Sequence, residues 1–519
     1  FFLFLSFLSL LLEFGYSNPV NMVKALALSL FSLFLLVVSA QDQGPFEITA
    51  DNLPSYVGPN PFPFKSYTGY VEVNSTLERN NFYWLVESQG PNPDQDPLLF
   101  WYQGGPGCSG LGGLFTEHGP FRATADGTVI LADFSWNEYA NVVYLEQPTG
   151  VGFSYSGQDN GDGSFVYRCN DTEAAEENFN FIEGFLAANP KYVGRPTWIA
   201  GESYGGVYVP TLGALISSRP NSNIYKQFVG QMTGNPVFSC DSLNGFDAQM
   251  HIFYYHQLIS YSSYNAWQTN GCAEDMTTQC TNIFLQAYKS VGQVYQELGD
   301  FTFNGTQPSL DPDDLYQDFI VGNGTLRWSE SLNEGLPSSD EAIEDYLSRS
   351  DVQAALHAHA PVQGSWEICG FPGNYIPTAG SMIPYYESLF SLRPDVHVLI
   401  YSGDVDIATV PGPITTKALL PLNSTIKTEW APWYVNGATV GYVQYYDTYA
   451  YATVKGAGHE GPAYQPLSSH NMIERFYTKQ SLDGGEIYTD SASKPVSRRR
   501  ALRQGDMLRK LAREMGQKF

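Results

Sequence analysis

Residues 201–206 read Gly-Glu-Ser-Tyr-Gly-Gly and stand between two apolar runs, Thr197-Trp198-Ile199-Ala200 and Val207-Tyr208-Val209-Pro210. Few local patterns restrict a fold as much. The first run reads as a buried strand, and glycines on both sides of Ser203 remove the side chains that would block a sharp strand-to-helix reversal. A serine in that setting is held out at the tip of the turn, the geometry of a nucleophile elbow. In a Gly-rich chain the same pattern also arises by chance. Ser203 therefore acquires meaning only if a base, an orienting acid and an oxyanion hole exist elsewhere.

The surrounding pattern is α/β. Short β-branched or aromatic runs at 67–73, 82–86, 98–102, 142–145, 197–200 and 396–401 are bounded by Gly, Pro, Asn or Asp and predict strands. Between them, 171–189 has an acidic first turn and places Phe179, Ile182, Phe185 and Leu186 at helical spacing, which predicts an amphipathic helix packed on a sheet. With 519 residues and 43% hydrophobic content the chain can bury one large elaborated domain or two ordinary ones. From 237 to 340 the composition turns polar, rich in Tyr and Asn, and holds three cysteines and two glycosylation sequons. This suits a cap inserted into a core made of residues 41–236 and 341–485.

The ends carry different signals. Met22-Val23-Lys24, an apolar stretch from Ala25 to Val38 and the small-residue site Val38-Ser39-Ala40 predict a secretory signal peptide over 22–40, shorter than the ~20 apolar residues a membrane anchor needs. Residues 1–21 are read as translated sequence upstream of the start at Met22. The net charge of −26 leaves no broad phosphate-neutralising surface and argues against nucleic acid as a partner. Nine Lys or Arg fall between Lys494 and Lys518, so the segment 486–519 reads as a basic, disordered tail. Secretion makes the six cysteines candidates for disulfides, and Asn74, Asn170, Asn304, Asn323 and Asn423 each begin a glycosylation sequon. The expected compartment is extracellular or an acidic vacuolar or lysosomal lumen, with no stable membrane insertion after signal cleavage.

Partners for Ser203 lie downstream. A strand-like run over 448–454 leads into Lys455-Gly456-Ala457-Gly458-His459, placing an imidazole on a Gly-flanked loop where it can serve as general base. Seven other histidines compete. Of these, His357 and His359 sit in a helix-like segment over 351–359 at a spacing that presents no shared helical face, so no metal pair is expected there. The run Val398-Leu399-Ile400-Tyr401-Ser402 ends in Gly403-Asp404-Val405-Asp406, where either carboxylate can hold the imidazole tautomer. The order serine, acid, histidine is that of α/β-hydrolases. Trp101-Tyr102-Gln103-Gly104-Gly105-Pro106-Gly107-Cys108-Ser109 supplies a Gly-rich loop after a strand, so the N–H groups of Gly105 and Tyr204 are the expected oxyanion donors.

Together with Glu146-Gln147-Pro148-Thr149-Gly150-Val151-Gly152-Phe153-Ser154-Tyr155 and Gly234-Asn235-Pro236, these motifs resemble the serine carboxypeptidases over about residues 44–480. The resemblance implies an α/β-hydrolase with a mainly parallel central sheet, helices on both faces, and a helical cap inserted after the sixth strand. It extends to 346–357, similar to the family's helix after the insertion. It implies Asp406 as the triad acid, with Asp404 structural, and a Cys108–Cys369 disulfide. It implies that Glu202 and Glu117, with Trp101 and Gln103, read the terminal carboxylate of a peptide or protein substrate through a proton shared by two carboxyls, which acidic conditions favour.

Two residues depart from the family pattern. Gln103 stands where asparagine is usual, and Glu460-Gly461-Pro462 follows the histidine, putting a carboxylate near the pocket of the departing residue where Lys or Arg would be tolerated. The implied reaction is two-step acyl transfer by Ser203, His459 and Asp406, with no metal and no organic cofactor. The alternatives are a related acyltransferase or esterase and a catalytically silent binding glycoprotein.

Overall fold

The sequence Leu-Leu-Phe-Trp-Tyr at Leu98–Tyr102 forms a strand buried at every position, and it lies in the middle of the principal sheet. A run apolar on both faces cannot stand at a solvated edge, so helices must cover it on each side. The computed structural model describes residues 44–159, 166–239, 242–291, 309–311, 313–316, 318–322, 325–328 and 340–484. The upstream segment, the signal peptide, the basic tail, Cys240, Asn304 and Asn323 lie outside the described residues.

One path of hydrogen-bonded strands contains β1 (Phe46–Ile48), β2 (Ser66–Asn74), β3 (Arg79–Val86), β4 (Leu98–Tyr102), β5 (Asn141–Leu145), β6 (Thr197–Glu202), β7 (Phe228–Gly234), β8 (His397–Gly403), β9 (Ile426–Val435), β10 (Ala438–Tyr446) and β11 (Ala450–Val454). Their spatial order is β1-β2-β3-β5-β4-β6-β7-β8-β11-β10-β9. The centre, from β5 to β11, is parallel. Antiparallel strands flank it on both sides. Side chains alternate between two cores: Leu99 and Trp101 enter one with Trp84, Tyr144 and Leu399, while Leu98, Phe100 and Tyr102 enter the other with Tyr83, Val143 and Ile400.

Helix α1 (Asp171–Ala188) covers the second face, as the spacing of Phe179, Ile182, Phe185 and Leu186 predicts. Asn170 caps it by accepting from the N–H groups of Thr172 and Glu173, and Asp171 and Glu173 in its first turn complement the helix dipole. Helix α2 (Gly205–Ser217) leaves the turn after β6 and packs beside α1.

The residues after β7 form α3 (Ser242–Tyr255), α4 (Tyr261–Thr269) and α5 (Thr278–Ser290). They bury a separate cluster that includes Met250, Phe253, Trp267, Phe284 and Tyr288, into which Ile407 and Ala408 also pack. A Cys272–Cys280 disulfide closes the turn between α4 and α5. The segment 346–357, expected as one helix, is divided between α6 (Asp340–Ser348) and α7 (Ser350–Ala355). Arg349 is extended there, drawn out by its ion pair to Asp351 at 2.7 Å and its hydrogen bonds to Ser55 and the Gly127 carbonyl. The helix-like reading of 351–359 also stops short, because α7 ends at Ala355 and His357 takes φ +53°.

Candidate active site

Parallel strands end on one side of a sheet, so the loops that follow them collect there. Here these are the loop after β4 with Gln103 to Cys108, the turn after β6 with Ser203, Asn235 after β7, Asp404 and Asp406 after β8, and His459 after β11. Every motif singled out as a triad or oxyanion component thus reaches the same rim.

Ser203 has φ +57°, a left-handed conformation costly for a side-chain-bearing residue. The turn is held by hydrogen bonds from Ser203 N–H to the Gly234 carbonyl at 3.1 Å and from Gly206 and Val237 N–H to the Ser203 carbonyl at 2.9 Å each. Glycine is required at 205 because a Cβ there would lie 2.8 Å from the Tyr102 carbonyl. Tyr204 is fixed at its far end, where its hydroxyl donates to Asp171 at 2.8 Å. Asp171 also receives the N–H groups of Thr378 and Ala379.

His459 and Asp406 are hydrogen-bonded, Nδ1 to Oδ2, at 2.8 Å. Asp406 is buried, and its oxygens also accept from Thr409 N–H at 3.0 Å, Val410 N–H at 2.9 Å and Asn235 Nδ2 at 3.0 Å. With these donors on its oxygens, Asp406 is placed as the acceptor for His459, which puts the proton on Nδ1 and leaves Nε2 as the free ring acceptor. Asn235 also accepts the Gly403 N–H with its Oδ1, tying the ends of β7 and β8 together. Asp404 acts on the neighbouring loop instead, where its Oδ1 accepts the N–H of Gly456 at 2.6 Å and orders the segment that carries His459. Burial disfavours protonation of His459, but the charge and hydrogen bond of Asp406, then the charges of Asp313 and Glu117, outweigh it and raise its pKa.

The Gly-rich loop after β4 lies flush against the elbow. A Cβ on Gly104 would stand 2.6 Å from Tyr204 N and 2.7 Å from the Glu202 carbonyl, and Gly105 has φ +110°. This closeness puts the Gly105 and Tyr204 amides in one neighbourhood, at the N-terminus of α2 where the helix dipole favours negative charge. Cys108 at the end of the loop is bonded to Cys369.

Beneath the serine, Trp101 Nε1 donates to Gln103 Oε1 at 2.7 Å and Gln103 Nε2 donates to Glu117 Oε1 at 2.9 Å. An indole N–H can only donate, which fixes the orientation of the amide and aims its NH2 group at Glu117. The extra methylene of Gln103 is thus absorbed by a bridge between Trp101 and Glu117. Carboxyl oxygens of Glu117, Glu202 and Glu460 lie within 4.8 Å of one another. Glu202 and Glu460 adjoin Ser203 and His459 in sequence, so the same approach brings the elbow and the histidine loop together. That spacing would suit a cation as well as shared protons, but the environment raises the affinity of all three carboxyls for protons. Burial raises Glu117 to about 7, against the opposing Gln103 hydrogen bond. Burial and then the charge of Glu117 push Glu202 well above the ordinary carboxyl range. Glu460 is raised likewise by desolvation and by Glu117, Asp340 and Asp313.

Neither Glu202 oxygen meets a hydrogen-bond donor among the described residues, although both are buried. Two carboxyls at this distance satisfy each other only by sharing a proton. Sequence reasoning gave Asn235 and Glu146 no role. Glu146 is buried, accepts from Ser109, Trp366 and the Phe153 N–H, and supports the loop that carries Gly105. Both stand in motifs quoted for the resemblance, which was the available signal. Asp313 is the third omission. It lies in the inserted segment, and no local pattern marks it.

A mainly parallel sheet with helices on both faces and a nucleophile elbow at its rim defines an α/β-hydrolase. A prohormone-processing carboxypeptidase from Saccharomyces cerevisiae shares the fold, with a TM-score of 0.66 at 19% identity over 84% of this chain and 95% of its own. The family description "Serine carboxypeptidase" matches residues 54–479. Among relatives, "Serine carboxypeptidase-like 22" of Arabidopsis thaliana is 33% identical over 469 residues, covering 87% of this chain and 98% of that protein. "Lysosomal protective protein" of Mus musculus is 31% identical over 493 residues, 88% and 99% of the two chains. The chain belongs to the serine carboxypeptidase family.

Proposed function

We propose that this protein is a serine-type carboxypeptidase that releases C-terminal amino acids from peptides and proteins through an acyl-enzyme under acidic conditions. The observation that carries this reading is the buried Glu117–Glu202 pair under the elbow, with Gln103 and Trp101 behind it. A plain esterase has no use for a costly pair of carboxyls beside its nucleophile. A carboxyl that keeps its proton donates a hydrogen bond to the terminal carboxylate of a substrate, whereas an amidated terminus offers only a neutral carbonyl acceptor and a weaker bond.

His459 Nε2 takes the Ser203 hydroxyl proton as Oγ bonds to the last peptide carbonyl carbon. The carbonyl oxygen becomes an oxyanion held by the Gly105 and Tyr204 N–H groups. Collapse breaks the C–N bond, and the imidazolium gives its proton to the departing amine. Water then repeats the sequence and frees the acyl group. A proton on the glutamate pair removes the Glu117 contribution, the smallest of those that raise His459, and so shifts the imidazole part of the way back, while Asp406 and Asp313 continue to raise it.

Glu460 and the adjacent Asp340 and Asp313 make the site of the departing residue acidic, supporting acceptance of Lys or Arg there. Secretion into an acidic lumen fits this chemistry. Of the sequons within the described residues, Asn423 is exposed and Asn74 and Asn170 are half-buried, so Asn423 is the most accessible to glycosylation.

The test is a set of blocked dipeptides with free or amidated C-termini, assayed from pH 4 to pH 8. Release of the terminal amino acid from free-acid substrates, strongest below pH 6, is expected. Equal cleavage of both forms at low pH defeats the shared-proton reading. Turnover only of activated esters with alcohol acceptors assigns the site to acyl transfer.

A further inference from the structure

The segment between β7 and β8 contributes a residue to the catalytic centre. Asp313 touches the histidine loop through its backbone, its carbonyl accepting the His459 N–H at 2.8 Å. Its side chain accepts a hydrogen bond from the Thr409 hydroxyl, and the Thr409 N–H donates in turn to Asp406 Oδ1 at 3.0 Å. Because Asp406 holds His459, the four residues close a ring of hydrogen bonds. The fit is close: a Cβ on Gly458 would lie 2.3 Å from the Asp313 carbonyl and 2.8 Å from Asp314 Cβ. Asp313 is set in place by its own N–H bonding to Asp311 Oδ1 at 2.9 Å, and by Leu315 N–H bonding to the Val405 carbonyl at 3.0 Å.

We propose that Asp313 is a positioning residue for His459, holding the loop of the general base by its carbonyl and supplying a second carboxylate near the imidazole. The proposal rests on Ser203, His459 and Asp406 acting as nucleophile, base and orienting acid. The ionisable groups around His459 are Asp406 from the loop after β8 and Glu117 from the core. Glu202 and Glu460 face Asp313 from the core, and Asp311, Asp314 and Asp340 from the inserted segment and α6. Asp313 acts on the imidazole by charge, the second carboxylate after Asp406 to favour its protonation, while burial raises its own carboxyl. It is bound to the His459 loop and to the loop that carries Asp406 and Thr409, whereas Glu117 is engaged with Gln103.

The test measures the rate at which a fluorophosphonate labels Ser203 between pH 4 and 8, a readout independent of the peptidase assignment. Asp313→Asn retains an oxygen for Thr409 but removes the charge. Its acid limb is expected to move to lower pH by roughly half a unit or more, because an imidazolium without a neighbouring anion loses its proton more readily. Thr409→Val keeps the charge and opens the ring; it is expected to label several-fold more slowly with its limb nearly unmoved. Asp313→Asn with the wild-type limb overturns the charge role, and Thr409→Val with wild-type rates overturns the ring. Should Asp313→Asn fail to fold, the Thr409→Val rates decide alone. If the wild-type protein is not labelled, the triad reading fails and this inference fails with it, whereas a labelled wild type with unmoved variants defeats this inference alone.

Discussion

Replacing Glu202 by glutamine should make both stability and activity markedly less dependent on pH. Glu117 is held at about 7, so the folded protein keeps a proton that the unfolded chain gives up near the ordinary carboxyl value of about 4.5. A pKa raised on folding means stability that is fully present below pH 4.5 and lost as pH rises through 7. At 1.36 kcal/mol per unit the loss is about 3 kcal/mol for this group alone. Glu202 is raised as well, by burial and then by the charge of Glu117, so its removal takes away a second group with the same pH dependence, and Glu117 Oε2 has no hydrogen-bond donor. The substituted amide cannot titrate and can present an NH2 group to that oxygen, so Glu117 should fall, with burial still holding it above its ordinary range. Denaturant melts at pH 4.5, 6 and 7.5 should show the wild type weakening by a few kcal/mol and Glu202→Gln by much less. For free-acid dipeptides, kcat/KM of the wild type should fall about tenfold per pH unit above 7. The variant, whose amide donates at any pH, should fall more gently and overtake it. If the variant declines in parallel with the wild type in both assays, the pair does not share a proton in the way described.

Three further outcomes follow from the geometry. Asp406→Asn should lower kcat by roughly 10^3-fold or more with little change in KM, since the charged acceptor is lost and the amide NH2 can donate to Nδ1 and fix the wrong tautomer; a steady-state comparison checks this. Gly104→Ala would press a methyl group to within 2.6 Å of Tyr204 N and 2.7 Å of the Glu202 carbonyl, so the backbone must shift; kcat should fall about 100-fold and the melting temperature should fall with it, as steady-state rates and a thermal melt would show. Gln103→Ala severs the link between Trp101 and Glu117, and should raise KM for free-acid substrates several-fold without slowing fluorophosphonate labelling of Ser203, separating carboxylate recognition from nucleophile activation.

The central strands were legible because burial on both faces leaves an unbroken apolar run. Leu98–Tyr102 was bounded to the residue, and the run at 197–200 needed only Gly201 and Glu202 added. Ser203, Asp406 and His459 stood out as candidates because each stands in a Gly-rich loop directly after such a run. The hairpin of β9 and β10 went unread, although its turn is Asn436-Gly437, both with positive φ, a pairing that marks two-residue hairpins. Its strands are half-exposed and bulged, which blurs alternation. The break at Arg349 was not visible because its cause, contacts with Ser55 and Gly127, is remote in sequence. Asp313 is invisible for the same reason: its meaning lies in Thr409 and His459, about 100 and 150 positions away.

The Cys108–Cys369 bond joins positions 261 residues apart, one in the loop beside the elbow and the other beyond the inserted helices. Seen as a covalent graph, the protein is a closed circle with two free arms, and every residue of α3, α4 and α5 lies on the circle. One cut anywhere on it opens the circle without dividing the molecule. The two halves would stay joined beside the oxyanion loop, with β7 still paired to β8. Such a nicked protein would run as one species on a non-reducing gel and as two after reduction. The inserted segment can therefore be cut without releasing His459 and Asp406 from the half that carries Ser203.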